Sequence, residues 1–244
     1  MPADPVLRLR GVRKDYRGLR PLRVDGFELH EGETVGVSGF DRAAAEVLVN
    51  LITAATLPDE GDVEVFGVPT SVITDADAWL QWLDRFGLVS DRVALVDELS
   101  VEQNLALSTS LDVIDMSPAL RDQVGRLAAE VGLTTGDVQQ PMAAAGPVTR
   151  LRVRLARALA PEPRLLLVEH PNAAVPPEEA ARLAADLAGI AARRRLAMLL
   201  LTADAAFARS ACRTVLVWQP ASGLLSPLSR WQAWAGRLRR GSVT

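Results

Sequence analysis

Several things are scarce in this chain, and each scarcity excludes something. A single cysteine, Cys212, stands among 244 residues. It leaves no partner for an internal disulfide and fits a reducing compartment. No apolar run approaches the roughly 18–20 residues of a membrane span. The opening MPADPVLRLRG lacks the apolar core of a signal peptide, so a cytoplasmic protein is expected. Positive charge is not in excess. A net charge of −3 and a pI near 5.5 argue against a broad nucleic-acid-binding surface, and no nucleic-acid partner is expected. Aromatic residues make up only 5%, which makes Tyr16, the one tyrosine, conspicuous. Apolar residues, at 49% against 23% charged, are plentiful enough for one large folded domain with a full core.

The most informative stretch is RLRVRLARALAPEPRLLLVEHP, residues 150–171. Leu151, Leu155 and Leu159 fall four apart, while Arg150, Arg154 and Arg157 share another face, so a helix is predicted. Pro161 and Pro163 end it, because proline lacks the amide donor and disfavours helix in the residue before it. Leu165–Val168 is a short unbroken apolar run, as expected of a strand buried on both faces. Glu169-His170-Pro171 then places polar groups at the carboxyl end of that strand, where open α/β sheets bind ligands.

Other segments follow the same alternation. Residues 6–38 read as short strands broken by turns, and Glu33–Ser38 leads into GFDRAAAEVLVNLI, residues 39–52, a turn and a helix. Val63–Gly67 alternates as a strand. Asp75–Phe86 looks helical, with Trp79, Trp82, Leu83 and Phe86 expected in the core. Ser100 and Ser117 are capped helix starts, Thr134–Gly146 reads as loop, and a proline-led helix runs from about 177 to 195. Its closing Arg193-Arg194-Arg195 suits a solvated helix end. Leu196–Leu201 and Val215–Trp218 are further core strands. From Leu228 to Arg240, Trp231, Trp234, Ala235 and Leu238 share a helical face, for packing on the domain itself or lying on a membrane or partner.

RVRLARALAPEPRLLLVEHP closely resembles the helix and Walker B strand of ATP-binding-cassette (ABC) ATPases, the nucleotide-binding subunits of ABC transporters. FGLVSDRVALVDELSVEQNLAL, residues 86–107, resembles the family segment that links core to helical subdomain and touches the membrane partner. The ordered resemblance runs from Tyr16 to Asp204. It implies an α/β, P-loop NTPase-like core with a mostly parallel sheet, an N-terminal antiparallel β-subdomain and an inserted helical subdomain. The implied division is core 1–90 and 151–220, helical subdomain 91–150, and a C-terminal amphipathic helix at 227–240.

The same resemblance shows its family motifs replaced. A phosphate loop is G-x-x-x-x-G-K-[ST], with backbone amides around phosphate, a lysine on the β/γ-phosphates and a hydroxyl on magnesium. Here Gly39 holds the first glycine position, but Ala44, Ala45 and Glu46 stand for glycine, lysine and hydroxyl. Asp41 adds a carboxylate, and Arg42 is the one nearby cation. At the Walker B positions for the magnesium aspartate and catalytic glutamate stand Glu169 and His170. Asp91 takes the place of the glutamine, Ala203 that of the histidine. Ala145, Gly146, Pro147, Val148 and Thr149 occupy the signature pentapeptide, where Pro147 removes an amide and Val148 adds bulk. Tyr16 falls where the family stacks a ring on adenine; by itself it reads as a half-exposed strand aromatic.

Phosphoryl transfer depends on positioning and electrostatic stabilisation, so no catalytic residue and no metal site is expected. The sequence therefore implies a non-hydrolysing ABC-ATPase homologue with a structural or regulatory role in a membrane transport complex. The expected partners are a membrane permease, an intact ABC ATPase subunit, or both, in a homo- or heterodimer. The alternatives are the nucleotide-binding half of a heterodimer whose partner supplies catalysis, with ATP bound without the usual magnesium coordination, and a soluble interaction protein.

Overall fold

The protein, seen in a computed structural model, is described over residues 4–228. The tail expected to pack as an amphipathic helix lies outside the described residues from position 229 onward. Two sheets carry the fold. The first is antiparallel, in the order β2-β1-β4-β5, from β1 (Leu7–Lys14), β2 (Leu22–Leu29), β4 (Glu60–Val65) and β5 (Val68–Pro69). The second has the order β10-β9-β3-β8-β7-β6. Its members are β3 (Thr34–Ser38), β6 (Phe86–Val89), β7 (Leu165–Glu169), β8 (Ala197–Thr202), β9 (Thr214–Trp218) and β10 (Leu225–Pro227). All neighbours in this sheet are parallel except the edge strand β10.

Parallel strands covered on both faces need apolar residues at every position. β7 and β8 meet this demand: each is buried along its whole length. Leu166, Val168, Met198 and Leu200 face a core built with the later helices, whereas Leu165, Leu167, Leu199 and Leu201 face the core shared with the antiparallel sheet. That second core includes α1 (Arg42–Ile52) and the aromatic group of Trp82, Phe66 and Phe86, whose rings lie 5.5–5.7 Å apart. The helix expected over Asp75–Phe86 is shorter, α2 (Ala76–Leu83). Asp75 caps it, and Phe86 belongs to β6 yet still packs on Trp82.

α3 (Val101–Ala106), α4 (Pro118–Glu130), α5 (Thr135–Gln139) and α6 (Pro147–Leu159) follow β6 or precede β7, and α7 (Pro177–Arg194) and α8 (Ala205–Ala211) complete the layer. Ser100 caps α3 in a reciprocal box with Gln103, and Ser117 caps α4. Two expectations change. The Thr134–Gly146 stretch is not all loop: Thr134 and Asp137 form a second capping box that starts α5, and Met142–Ala144 make a 3₁₀ turn. The arginine run at the end of α7 is not wholly solvated either. Arg194 pairs with both carboxylate oxygens of Glu130, at 2.7 and 2.6 Å, and donates to the Leu159 carbonyl at 2.8 Å.

Among the described residues no helix is long and apolar enough to cross a membrane. Two outcomes test this packing. Leu166 is fully buried, so Leu166→Ala is expected to cost about 2–5 kcal/mol in denaturant unfolding. Burial pushes the Cys212 thiol up to about 12. The native thiol therefore stays protonated and resists disulfide reagents at pH 8, reacting only on unfolding. Because the folded state holds this proton more tightly, its contribution to stability is lost as pH rises from about 9 toward 12.

Candidate functional site

The carboxyl ends of β3, β6, β7 and β8 converge on one edge of the sheet, the position where such folds gather ligand-binding groups. Residues that the sequence analysis singled out lie at each of these ends. Gly39 leaves β3 with φ +102°, and a β-carbon there would meet the Trp218 carbonyl at 3.0 Å. Its amide donates to the Thr202 carbonyl at 3.2 Å. Phe40 then turns inward and stacks on Trp218, with ring centroids 4.2 Å apart.

The next residues close on themselves. Asp41 is the N-cap of α1, and its carboxylate accepts from the Ala44 amide at 2.8 Å while its carbonyl accepts from Ala45 at 3.0 Å. These amides open the helix, where an anion would otherwise find donors. The protein supplies its own anion. Helix geometry begins at Arg42, so Ala44 and Ala45 are helical and fully buried. The only lysine, Lys14, pairs with Asp59 at 2.7 Å.

Beside this turn the first residues after β6 meet α1 and β7. Arg42 pairs with Asp91. Arg92 donates to Glu169 through Nε at 3.1 Å and Nη2 at 2.5 Å, and its Nη1 lies 3.5 Å from Glu46. Arg42 and Glu46, four apart on α1, share a face. Asp91 and Arg92 present the opposite pair, crossed. Glu169 keeps only 6% of its side chain exposed, against 32% for Arg92. A buried carboxylate needs a cation and donors, and the planar guanidinium supplies both in one fork. The Arg92 pKa is accordingly raised, first by its hydrogen bonds to Glu169; burial opposes this, and the charges of Glu169, Glu46 and Asp91 add to it.

Arg92 was not legible as a site residue. Its signal was slight, a cation directly after Asp91 in a loop otherwise read for its neighbours. The arginine face of α6 was legible, but not its task. Arg154 donates to the carbonyls of Val93 and Asp91, Arg157 to that of Ala94, and Arg150 to Asp97, Met142 and Ala145. Burial lowers the pKa of both Arg154 and Arg157. Residues 91–97 are thus bonded from two directions.

The remaining candidates occupy the rim. His170 adopts φ +43°, an uncommon conformation for a residue with a β-carbon, held by its amide to the Leu201 carbonyl at 2.8 Å. Its Nε2 is buried without a hydrogen-bond partner among the described residues. Ala203 is exposed between Thr202 and Asp204, and Asn172 joins these two, donating to Asp204 at 2.9 Å and accepting from Thr202 at 3.3 Å. Tyr16 is half-buried and lines a cavity of ≈ 360 Å³ with Gly39, Asp41, Ala43 and Trp218. Its pKa is raised by burial and, secondarily, by Asp41. The pentapeptide 145–149 lies at the start of α6: Ala145 is buried, Gly146 is the N-cap without a side-chain bond, Pro147 is the first helical residue and Val148 follows. Thr149 turns back to Asp137 at 3.4 Å.

No family model matches the chain. Among curated proteins it is similar to the ribose import ATP-binding protein RbsA 2 of Rubrobacter xylanophilus, 31% identical over 196 residues that make up 78% of this chain and 36% of that protein. The phosphonates import ATP-binding protein PhnC of Anaeromyxobacter dehalogenans is 33% identical over 199 residues, 79% of this chain and 40% of its own. The methionine import ATP-binding protein MetN 2 of Salmonella typhimurium is 30% identical over 203 residues, 82% of this chain and 59% of its own. The chain thus spans between about a third and three fifths of the length of these curated relatives. Among solved structures, CbiO1 of Clostridium perfringens, part of the ABC transporter complex CbiONQ, superposes with a TM-score of 0.78 at 18% identity, covering 98% of this chain and 94% of that one. A bacterial ABC transporter cassette solved as a dimer gives 0.71 at 21% identity, over 86% and 93%. By sequence the chain is a homologue of the ATP-binding subunits of ABC import transporters, and by structure it carries the ABC ATPase cassette fold.

Proposed function

We propose that this cassette serves a membrane transport complex as a non-hydrolysing, structural or regulatory subunit. The observation that carries the reading is the bridge from Arg92 to Glu169 and Glu46. A magnesium–triphosphate group requires an open pair of oxygen ligands for the metal and free amides with a cation for the phosphates. The carboxylates at these positions already hold a guanidinium, and Asp41 already takes the helix amide. The residues do not fit the group. The proposed partners are a membrane permease and an intact ABC ATPase subunit, which would hold the protein on the cytoplasmic face of the membrane as one half of a dimer. The separate helical subdomain over residues 91–150 and a vestigial phosphate loop over residues 39–46 belong to the same proposal.

A second reading, nucleotide held in a heterodimer whose partner supplies catalysis, is favoured by the cavity beside Tyr16. Calorimetry with ATP and ADP, with and without magnesium, separates the two. No heat of binding at millimolar nucleotide and no phosphate release are expected. Magnesium-dependent binding in the micromolar range would sink the first reading in favour of the second. Replacing the cap, Asp41→Ala, is expected to lower stability by about 1 kcal/mol in thermal or denaturant unfolding.

A further inference from the structure

The ionic cluster does more than occupy a position. It ties together three elements that are far apart in sequence: α1 through Arg42 and Glu46, β7 through Glu169, and the segment after β6 through Asp91 and Arg92. The far side of that segment is tied to α6 by Arg150, Arg154 and Arg157. The Val96 backbone is fixed a third way. Asn104, fully buried, accepts from its amide at 2.8 Å and donates to its carbonyl at 2.9 Å.

A ligand shifts a conformational equilibrium only through its differential affinity for the two states. A cationic side chain fixed beside the carboxylates acts at an effective concentration that no dissolved cation need match. From this geometry we infer that Arg92 is a built-in latch: its guanidinium holds residues 91–97 in one arrangement against α1 and β7, with no ligand required. This inference deepens the reading above and rests on it only in taking the carboxylate site to be internally filled.

Glu169 makes the latch one-sided. If Arg92 lets go, a carboxylate with 6% of its side chain exposed loses its partner, whereas releasing Glu46, about half exposed, costs little because water replaces the guanidinium. Glu169 is therefore the anchor and Glu46 the adjustable contact.

Amide hydrogen exchange resolved by segment tests the latch on the full chain. Arg92→Lys keeps the charge but not the two-pronged hydrogen bond, and Glu46→Gln removes the outer contact at an exposed helical position. In Arg92→Ala, exchange across 91–97 is expected to accelerate on the order of ten-fold, the scale of losing hydrogen bonds to a charged group, while β8 amides change less. Arg92→Lys should fall between Arg92→Ala and the parent, and Glu46→Gln close to the parent. Millimolar guanidinium added to Arg92→Ala should restore part of the protection. Acceleration spread evenly over the chain, or 91–97 exchange in Arg92→Lys equal to the parent's, would overturn the latch. Should Arg92→Ala fail to fold, the Arg92→Lys and Glu46→Gln measurements still decide it. Nucleotide binding to the parent chain is read separately, so loss of the non-hydrolysing reading and loss of the latch give different results.

Discussion

Glu169 ends a strand buried on both faces, and its carboxylate has almost no access to water. A charge in that position cannot stand alone, because the solvation it gave up must be returned by a cation and by donors. Arg92 supplies both through two hydrogen bonds, and in doing so places the chain that follows β6. The neighbouring pair, Arg42 and Asp91, runs in the opposite sense across the same gap. Much of the rest follows from this bridge. It brings the start of α1, the end of β7 and residues 91–97 together.

The second support comes from α6. A helix with leucines on one face and arginines on another is usually read as half buried and half solvated. Here the arginine face is spent on main-chain carbonyls of residues 91, 93 and 94 and on the Asp97 carboxylate. Those carbonyls belong to an irregular segment that offers them no strand or helix partner, and unpaired backbone groups are costly when covered. The arginines resolve that cost by donating to these carbonyls. Burial correspondingly lowers the Arg154 and Arg157 pKa values.

Electrostatics around the α1 turn point the same way. Backbone amides at a helix start attract anions, and the Asp41 carboxylate meets that attraction from within the chain. Phe40 is packed against Trp218 beneath it, and Ala44 and Ala45 are turned into the core. The turn is thus a packed helix start in which Asp41 occupies the Ala44 amide. Close by, the cavity at Tyr16 keeps an aromatic wall but has the Asp41 carboxylate in its lining.

What the sequence by itself determined is what depends on local pattern. The continuous apolar runs at 165–168 and 196–201 demand strands covered on both faces, and the serines at 100 and 117 start helices through short-range hydrogen bonds. The resemblance supplied the order of elements, and the residues at 41, 44–46, 91, 169, 170 and 203 could be read one by one. Even the arginine spacing on α6 was plain. Tertiary structure decided which charges meet. Arg92 and Glu169 are 77 positions apart, and Arg194 and Glu130 are 64 apart, so no periodicity relates them. Phe86 pairs with Leu165 as the first residue of β6, and Thr135–Gln139 became helical through a capping box too short to register as a period. Sequence pattern reports which face of an element is apolar, since that is a property of neighbours. The partner of a charge is a property of the fold.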